Sequence, residues 1–123
     1  MKNADVGHYL LHIVDACNNI LRFTQGMEQS DFLKNDLVQY AVISNFEIIG
    51  EASKHVSDDF RNQYPEIKWR AMAGLRDILI HHYFGVDFVN LWNIIKTSLP
   101  TVLEQIKNSP EYIAARNQIL NNN

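Results

Sequence analysis

The densest set of reactive side chains lies in the segment RDILIHHYFGVD, residues 76–87. Asp77 directly follows Arg76, and His81 comes four residues after Asp77. On a helix of about 100° per residue, Asp77 and His81 fall about 100° and 140° from Arg76, so the three groups share one broad face. A carboxylate beside an imidazole fixes its tautomer and favours its protonated form, which makes His81 a candidate proton-transfer group near neutral pH.

Arg76 adds a permanently charged, forked donor that suits phosphate. An arginine for charge and a histidine for proton transfer are the minimum set for cleaving RNA without a metal, because the substrate's own 2′-hydroxyl is the nucleophile. Lys68 and Arg70 stand shortly before this set and are candidate RNA contacts. The same spacing also fits a solvated helix face with an intrahelical Asp–His pair, so spacing alone leaves two interpretations open.

The elements that must position these groups are predicted to be helices. Apolar residues recur at intervals of three to four, and no alternating segments bounded by Asn-Gly or Asp-Gly turns occur. Short connections then predict an all-α, antiparallel up-and-down bundle of about four to five helices, a single domain over 1–123. The predicted helices run from about residue 4 to Thr24, from Ser30 to Val56, from Lys68 to Tyr83, from Asp87 through a kink at Pro100, and from Ser109 onward, with one short helical piece in 57–65.

Composition excludes several classes of protein. With 123 residues, 46% hydrophobic and 20% charged, the chain predicts one globular unit rather than a disordered tail. A formal charge of −3 argues against coating nucleic acid by bulk electrostatics. The N-terminus lacks the order of a signal peptide, no apolar run approaches the roughly 20 residues that cross a bilayer, and Cys17 is the single cysteine. These features predict a cytoplasmic protein without membrane contact.

Two carboxylates, Glu47 and Glu51, lie four residues apart in the second predicted helix. Such a pair suggests either acid–base chemistry or a structural network, and we expect the network, with one carboxylate contacting the motif helix or a dimer partner. Gly50 lies between them inside the helix, where glycine costs about 1 kcal/mol relative to alanine. A close helix crossing is therefore expected there.

The remaining candidate residues favour structural roles. His8 and His12 have the spacing of a metal-binding pair, but no third ligand is evident, and no metal site is predicted. His55 is expected on the surface. Trp69 and Trp92 are predicted to be packing anchors rather than platforms for base stacking, although Trp69 stands next to the cation Arg70.

The stretch Arg76-x4-His81-x-Tyr83 resembles the R-x4-H-x-Y motif of the HepT toxins, within the HEPN superfamily of small helical ribonucleases. The surrounding segments follow that family's order and spacing across most of the chain: FEIIGEASKHV (46–56), WRAMAGLRDILIHHYFGVD (69–87) and then Leu91-Trp92. The resemblance implies a HEPN-like bundle and a metal-independent endoribonuclease that needs no cofactor. It also implies a homodimer, in which the motif helices of two subunits line one cleft.

The resemblance assigns roles to the motif residues. His81 would transfer protons, Arg76 would stabilise the phosphate, and Asp77 would orient the histidine. The expected partner is an MNT-type nucleotidyltransferase antitoxin that adenylylates Tyr83, which makes the chain the toxin of a type VII toxin–antitoxin pair. A different class also fits the sequence: a noncatalytic helical module that binds a nucleotide or serves a nucleotidyltransferase as its accessory subunit.

Overall fold

The computed structural model describes residues 2–81 and 85–122, with side chains described for 6–75 and 85–121. This part of the chain is helical nearly throughout and contains no β-strand, which confirms the all-α prediction. Its helices are α1 (Lys2–Phe23), α2 (Gln29–Lys34), α3 (Asp36–Lys54), α4 (Asp58–Gln63), α5 (Trp69–His81), α6 (Phe88–Lys96), α7 (Ser98–Lys107) and α8 (Pro110–Asn122).

Helix α1 forms where the sequence predicts it, because its apolar residues keep a three- to four-residue spacing. Leu10, Ile13, Cys17 and Ile20 are completely buried along this stripe. The helix ends at Phe23, and Gly26 follows with a φ of 77°, in the left-handed region that glycine adopts without strain. The predicted stop at this glycine is confirmed.

The prediction of one continuous second helix is wrong, because the structure divides this segment into α2 and α3 at Asn35. This residue has extended backbone angles, and its side-chain oxygen accepts a hydrogen bond from the Val38 amide at 3.0 Å. Asparagine competes with helical hydrogen bonds in this way, and the apolar spacing carries no sign of it. The short helical piece expected in 57–65 is α4, capped by Ser57.

The fourth predicted helix is likewise divided, into α6 and α7. Asp87 caps α6 as predicted, by accepting a hydrogen bond from the Asn90 amide at 3.1 Å. The break falls at Thr97 rather than as a kink at Pro100. Pro100 occupies the first turn of α7, where its missing N–H has no partner to lose. The last predicted helix, α8, begins at Pro110 as expected.

Helix α3 lies at the centre of the bundle. Helices α1 and α5 pack along it, while α7 and α8 pack against α1. Side chains from α1, α3, α6 and α7 supply most of one continuous apolar core. Burial of this surface, at about 25 cal/mol per Å² of apolar area, is what stabilises a chain that has no disulfide.

Candidate functional site

Helix α5, which carries the motif, runs antiparallel to α3. At its start, the Trp69 ring packs on Phe60 of α4 with ring centroids 5.7 Å apart, and Arg61 of α4 donates a hydrogen bond to the carbonyl of Ser53 in the last turns of α3. Beyond the end of α5, the Phe88 ring packs on the Phe32 ring with centroids 6.2 Å apart. Phe32 belongs to α2, which directly precedes α3. The motif end of α5 therefore lies near the N-terminal end of α3.

The three predicted catalytic residues, Arg76, Asp77 and His81, are on α5, whose backbone is helical through His81. The helical spacing assumed for them is thus confirmed: at about 1.5 Å per residue, Asp77 and His81 are about 6 Å apart along the axis, one turn of the helix. Their side chains, and the whole of Tyr83, lie outside the described residues, so the roles assigned to these four residues stay predictions.

The candidate RNA contacts, Lys68 and Arg70, are exposed at the start of α5. Along the helix axis, Arg70 is about 9 Å from Arg76, and Lys68 is about 20 Å from His81. The structure therefore places both cations at the end of α5 opposite to the end of the motif.

Both tryptophans are buried, which confirms their prediction as packing anchors. Trp69 is 6% exposed, and its indole N–H donates to the carbonyl of Tyr64 at 3.1 Å. Trp92 is 7% exposed and packs on Phe32 with ring centroids 5.3 Å apart. Because the Trp69 ring is held in the core at the α4–α5 junction, it offers no face for base stacking.

Glu51 lies in a structural network, while the expected contact of Glu47 or Glu51 with the motif helix or a dimer partner stays a prediction. The Glu51 carboxylate is 3.6 Å from Nε2 of His55, and the His55 ring stacks on Tyr9 of α1 with centroids 4.9 Å apart. His55 is exposed, as predicted, and Gly50 is buried. The network joins α3 to α1, on the side of α3 that packs against α1.

His8 and His12 are exposed neighbours on α1, with ring centroids 4.4 Å apart. Among the side chains that the structure describes, no three His, Cys, Asp or Glu groups converge as metal ligands. The same part of the chain holds no helix that is both long and apolar enough to cross a bilayer.

The sequence gives no sign of a cleft of about 520 Å³ that lies between α5 and α7. Its lining includes the buried side chains of Cys17 and Phe46, which we call its floor, and the half-buried side chains of Leu75 on α5 and Val102 on α7. We call it the α5–α7 cleft. Sequence reasoning missed it because an apolar stripe has the same periodicity whether its helix is packed on two sides or on one.

Comparison with known proteins gives the chain a family. Residues 13–109 match the family described as Ribonuclease HepT-like. The probable ribonuclease HepT of Thermococcus cleftensis is 48% identical over 94 residues, which are 76% of this chain and 86% of that protein. A Methanocaldococcus jannaschii protein, provisionally named an RNase, is 40% identical over 107 residues, 87% of this chain and 98% of that protein. No solved structure matches. The chain belongs to the HepT-like ribonuclease family.

Proposed function

We propose that the chain is a cytoplasmic toxin that cleaves RNA without a metal, as a homodimer whose Arg76 and His81 act on one phosphodiester. The observation that carries the proposal is the helical backbone through His81, which keeps Asp77 and His81 one turn apart on the helix that holds the family motif. In the reaction, the 2′-oxygen attacks the adjacent phosphorus and the bond to the 5′-oxygen breaks.

Each motif residue has a part in that reaction. His81 takes the proton of the 2′-hydroxyl or supplies one to the leaving 5′-oxygen, and a second histidine from the partner copy performs the other transfer. Arg76 stabilises the charge that develops on the phosphoryl oxygens. Asp77 orients the imidazole. The products are a 2′,3′-cyclic phosphate and a 5′-hydroxyl end.

An exposed apolar stripe on α3 supports the homodimer. Leu37 and Tyr40 are 79% and 57% exposed, and Ile48, two turns further along the same face, is 43% exposed. Exposed apolar side chains on one face of a helix are a candidate interface, and a second copy of α3 would cover them. Since α5 packs directly along α3, pairing through this stripe would bring a motif helix of each copy to the shared interface.

The chain has a net negative charge, so local cations must guide RNA to this interface. Lys68 and Arg70 are exposed at the start of α5 and are proposed to contact phosphates some nucleotides away from the cut. Replacing them should weaken RNA binding without a change in the cut site, and should reduce the salt dependence of binding by about one phosphate contact each.

Cleavage of labelled RNA in EDTA tests the proposed activity. Arg76→Ala and His81→Ala should each lower the cleavage rate by about 10²- to 10⁴-fold, with cyclic-phosphate ends in the wild-type products. Arg22→Ala and His12→Ala are matched controls, because they remove the same residue types from exposed positions of α1. Full activity of the folded Arg76 and His81 variants would refute the site. Intact RNA together with tight nucleotidyltransferase binding would instead indicate an accessory module.

The proposed antitoxin is an MNT-type nucleotidyltransferase that modifies Tyr83. The tyrosine oxygen would attack the α-phosphorus of ATP, with pyrophosphate leaving, and the attached AMP would add bulk and negative charge next to the RNA-cleaving groups. Tyr83→Phe should then cleave RNA but resist neutralisation. Mass spectrometry of the protein after incubation with the transferase and ATP locates the AMP, and its presence on another residue would contradict this assignment.

A further inference from the structure

The α5–α7 cleft is lined mostly by apolar side chains. Its lining includes Cys17 and Phe46, which are 0% and 2% exposed, and its volume is about 520 Å³. Cavities of this size between the helices of a bundle are typical of sites for small molecules, which need apolar walls and a few polar groups at fixed places.

The side walls of the cleft belong to helices that pack on different neighbours. Met72 and Leu75 are half-buried on α5, which packs along α3, and Ile94 and Val102 are half-buried on the α6–α7 side, which packs against α1. An apolar ligand between the two walls would complete the burial of these four side chains. At about 25 cal/mol per Å², such burial is the largest favourable contribution to binding.

Polar groups at the cleft are available to a ligand. Within the described part of the chain, no hydrogen bond or ion pair engages the side chains of Lys68, Ser98 or Gln105, all of which line the cleft. Lys68 supplies a cation, Ser98 a hydroxyl and Gln105 an amide. Glu66 also lines the cleft and would oppose an anion there.

From this arrangement we infer that the α5–α7 cleft binds a small apolar molecule with one anionic head, such as a medium-chain carboxylate. The apolar body lies between Leu75 and Val102, and the carboxylate pairs with the ammonium group of Lys68. Among the described side chains that line the cleft, Lys68 is the one cation, which fits a single anionic head on a hydrocarbon body. A nucleotide carries its charge on several phosphate oxygens and needs more than one donor. The inference does not depend on the proposed RNA cleavage.

Titration of the full chain with dodecanoate, followed by calorimetry and by displacement of the dye anilinonaphthalene sulfonate, tests the site. Ala71→Trp places a large ring at the exposed rim of the cleft and should abolish binding of both probes. Ala114→Trp is its matched control, because it adds the same ring at an exposed position of α8. Loss of binding in the first variant alone is the expected result.

Charge variants test the assignment of the head group. Lys68→Glu should weaken dodecanoate binding by about tenfold or more, since an attractive pair becomes a repulsive one. Arg70→Glu makes the same charge change two residues along the chain, at an exposed position that does not line the cleft, and should leave the affinity within about twofold. Glu66→Gln should tighten binding, an opposite sign that a general loss of structure would not produce.

Three results would overturn the inference: no saturable binding of dodecanoate, equal affinity in wild type and Ala71→Trp, or equal effects of the Lys68 and Arg70 variants. Sedimentation of the same samples tests whether a second copy of the chain occupies the cleft instead of a small molecule. If Ala71→Trp dissociates a dimer that the Ala114→Trp control retains, a second copy of the chain fills the cleft, and the small-molecule site is wrong.

Discussion

Helix α3 is packed very differently by its two long neighbours, α1 and α5. On the α1 side, Leu10, Ile13 and Ile20 have no exposed surface, and Asn19 of α1 donates a hydrogen bond to Asn45 of α3 at 3.1 Å. On the α5 side, Met72 and Leu75 are only half-buried, and the α5–α7 cleft lies beyond them. Among the described side chains, Met72 and Leu75 of α5 are thus less completely packed than the core residues of α1.

This difference separates the part of the bundle that maintains the fold from the part that carries the motif. Local opening costs least where few apolar contacts must break. We therefore expect the start of α5 to move relative to α3 at a lower cost in free energy than the middle of α1. In an enzyme whose site is shared between two copies, such a shift would change the distance between the two motif helices while the scaffold stays folded.

The largest expected change in stability comes from replacing a leucine by alanine on each side of α3. Leu10→Ala should lower the free energy of unfolding by about 2–5 kcal/mol, because the lost contacts lie in a closed core. Leu75→Ala should lower it by less than about 1.5 kcal/mol, since its side chain borders the cleft and is already partly solvated. Urea denaturation of both variants measures the difference. Equal losses would show that α5 is packed as tightly as α1.

Two glycines test the same difference in packing between α1 and α5, because their replacement by alanine should change stability in opposite directions. A Cβ atom at Gly7 in α1 would lie 2.7 Å from the Cβ of Ala115 in α8, whereas one at Gly74 in α5 would meet nothing within 4 Å. Gly7→Ala should therefore cost about 1–3 kcal/mol of stability. Gly74→Ala should add about 0.5–1 kcal/mol, because alanine is the better helix former and has room there.

Thermal denaturation of the two glycine variants and of Gly7→Ala combined with Ala115→Gly measures these changes. The double variant restores the space at the crossing and should recover part of the loss. If Gly7→Ala were neutral, the α1–α8 crossing would be loose. If Gly74→Ala were destabilising, α5 would have a close neighbour at that point.

Much of the fold could be predicted because helical periodicity and end signals are local. The end of α1 before Gly26, the cap at Asp87 and the start of α8 after Ser109 each depend on one residue and its nearest backbone. The breaks at Asn35 and Thr97 were missed because neither interrupts the apolar spacing. Nothing in the periodicity distinguishes a continuous helix from two that continue in the same phase.

The candidate site could be predicted only in part, for a different physical reason. The helical phase of Asp77 and His81 follows from the sequence, and the structure confirms the helix that sets it. The tight crossing at Gly7 and the α5–α7 cleft both depend on which faces of distant helices meet, and no spacing within one helix encodes that. The close helix crossing expected at Gly50 stays a prediction, whereas the crossing at Gly7 has no counterpart among the sequence predictions.

The smallest expected effect is the contribution of Cys17, at the floor of the cleft, to the pH dependence of stability near neutral pH. Burial raises the pKa of its thiol to about 12, from an ordinary value of 9.0. The folded chain therefore keeps the thiol proton between these two pH values while the unfolded chain releases it, so the free energy of unfolding falls as the pH rises through this window. Below about pH 8, both states are protonated and Cys17 contributes no pH dependence.

Comparison of wild type with Cys17→Ala isolates this contribution. Tyr64 also has a raised pKa, caused by burial and by the nearby Glu111 and Glu66, but both proteins share it and it cancels in the difference. Denaturation from pH 7 to pH 11 should show a constant offset at low pH, from the lost sulfur contacts, and a steeper fall for wild type above about pH 9. Parallel curves would mean that water reaches the thiol through the cleft, and that the floor of the cleft is less buried than its surroundings indicate.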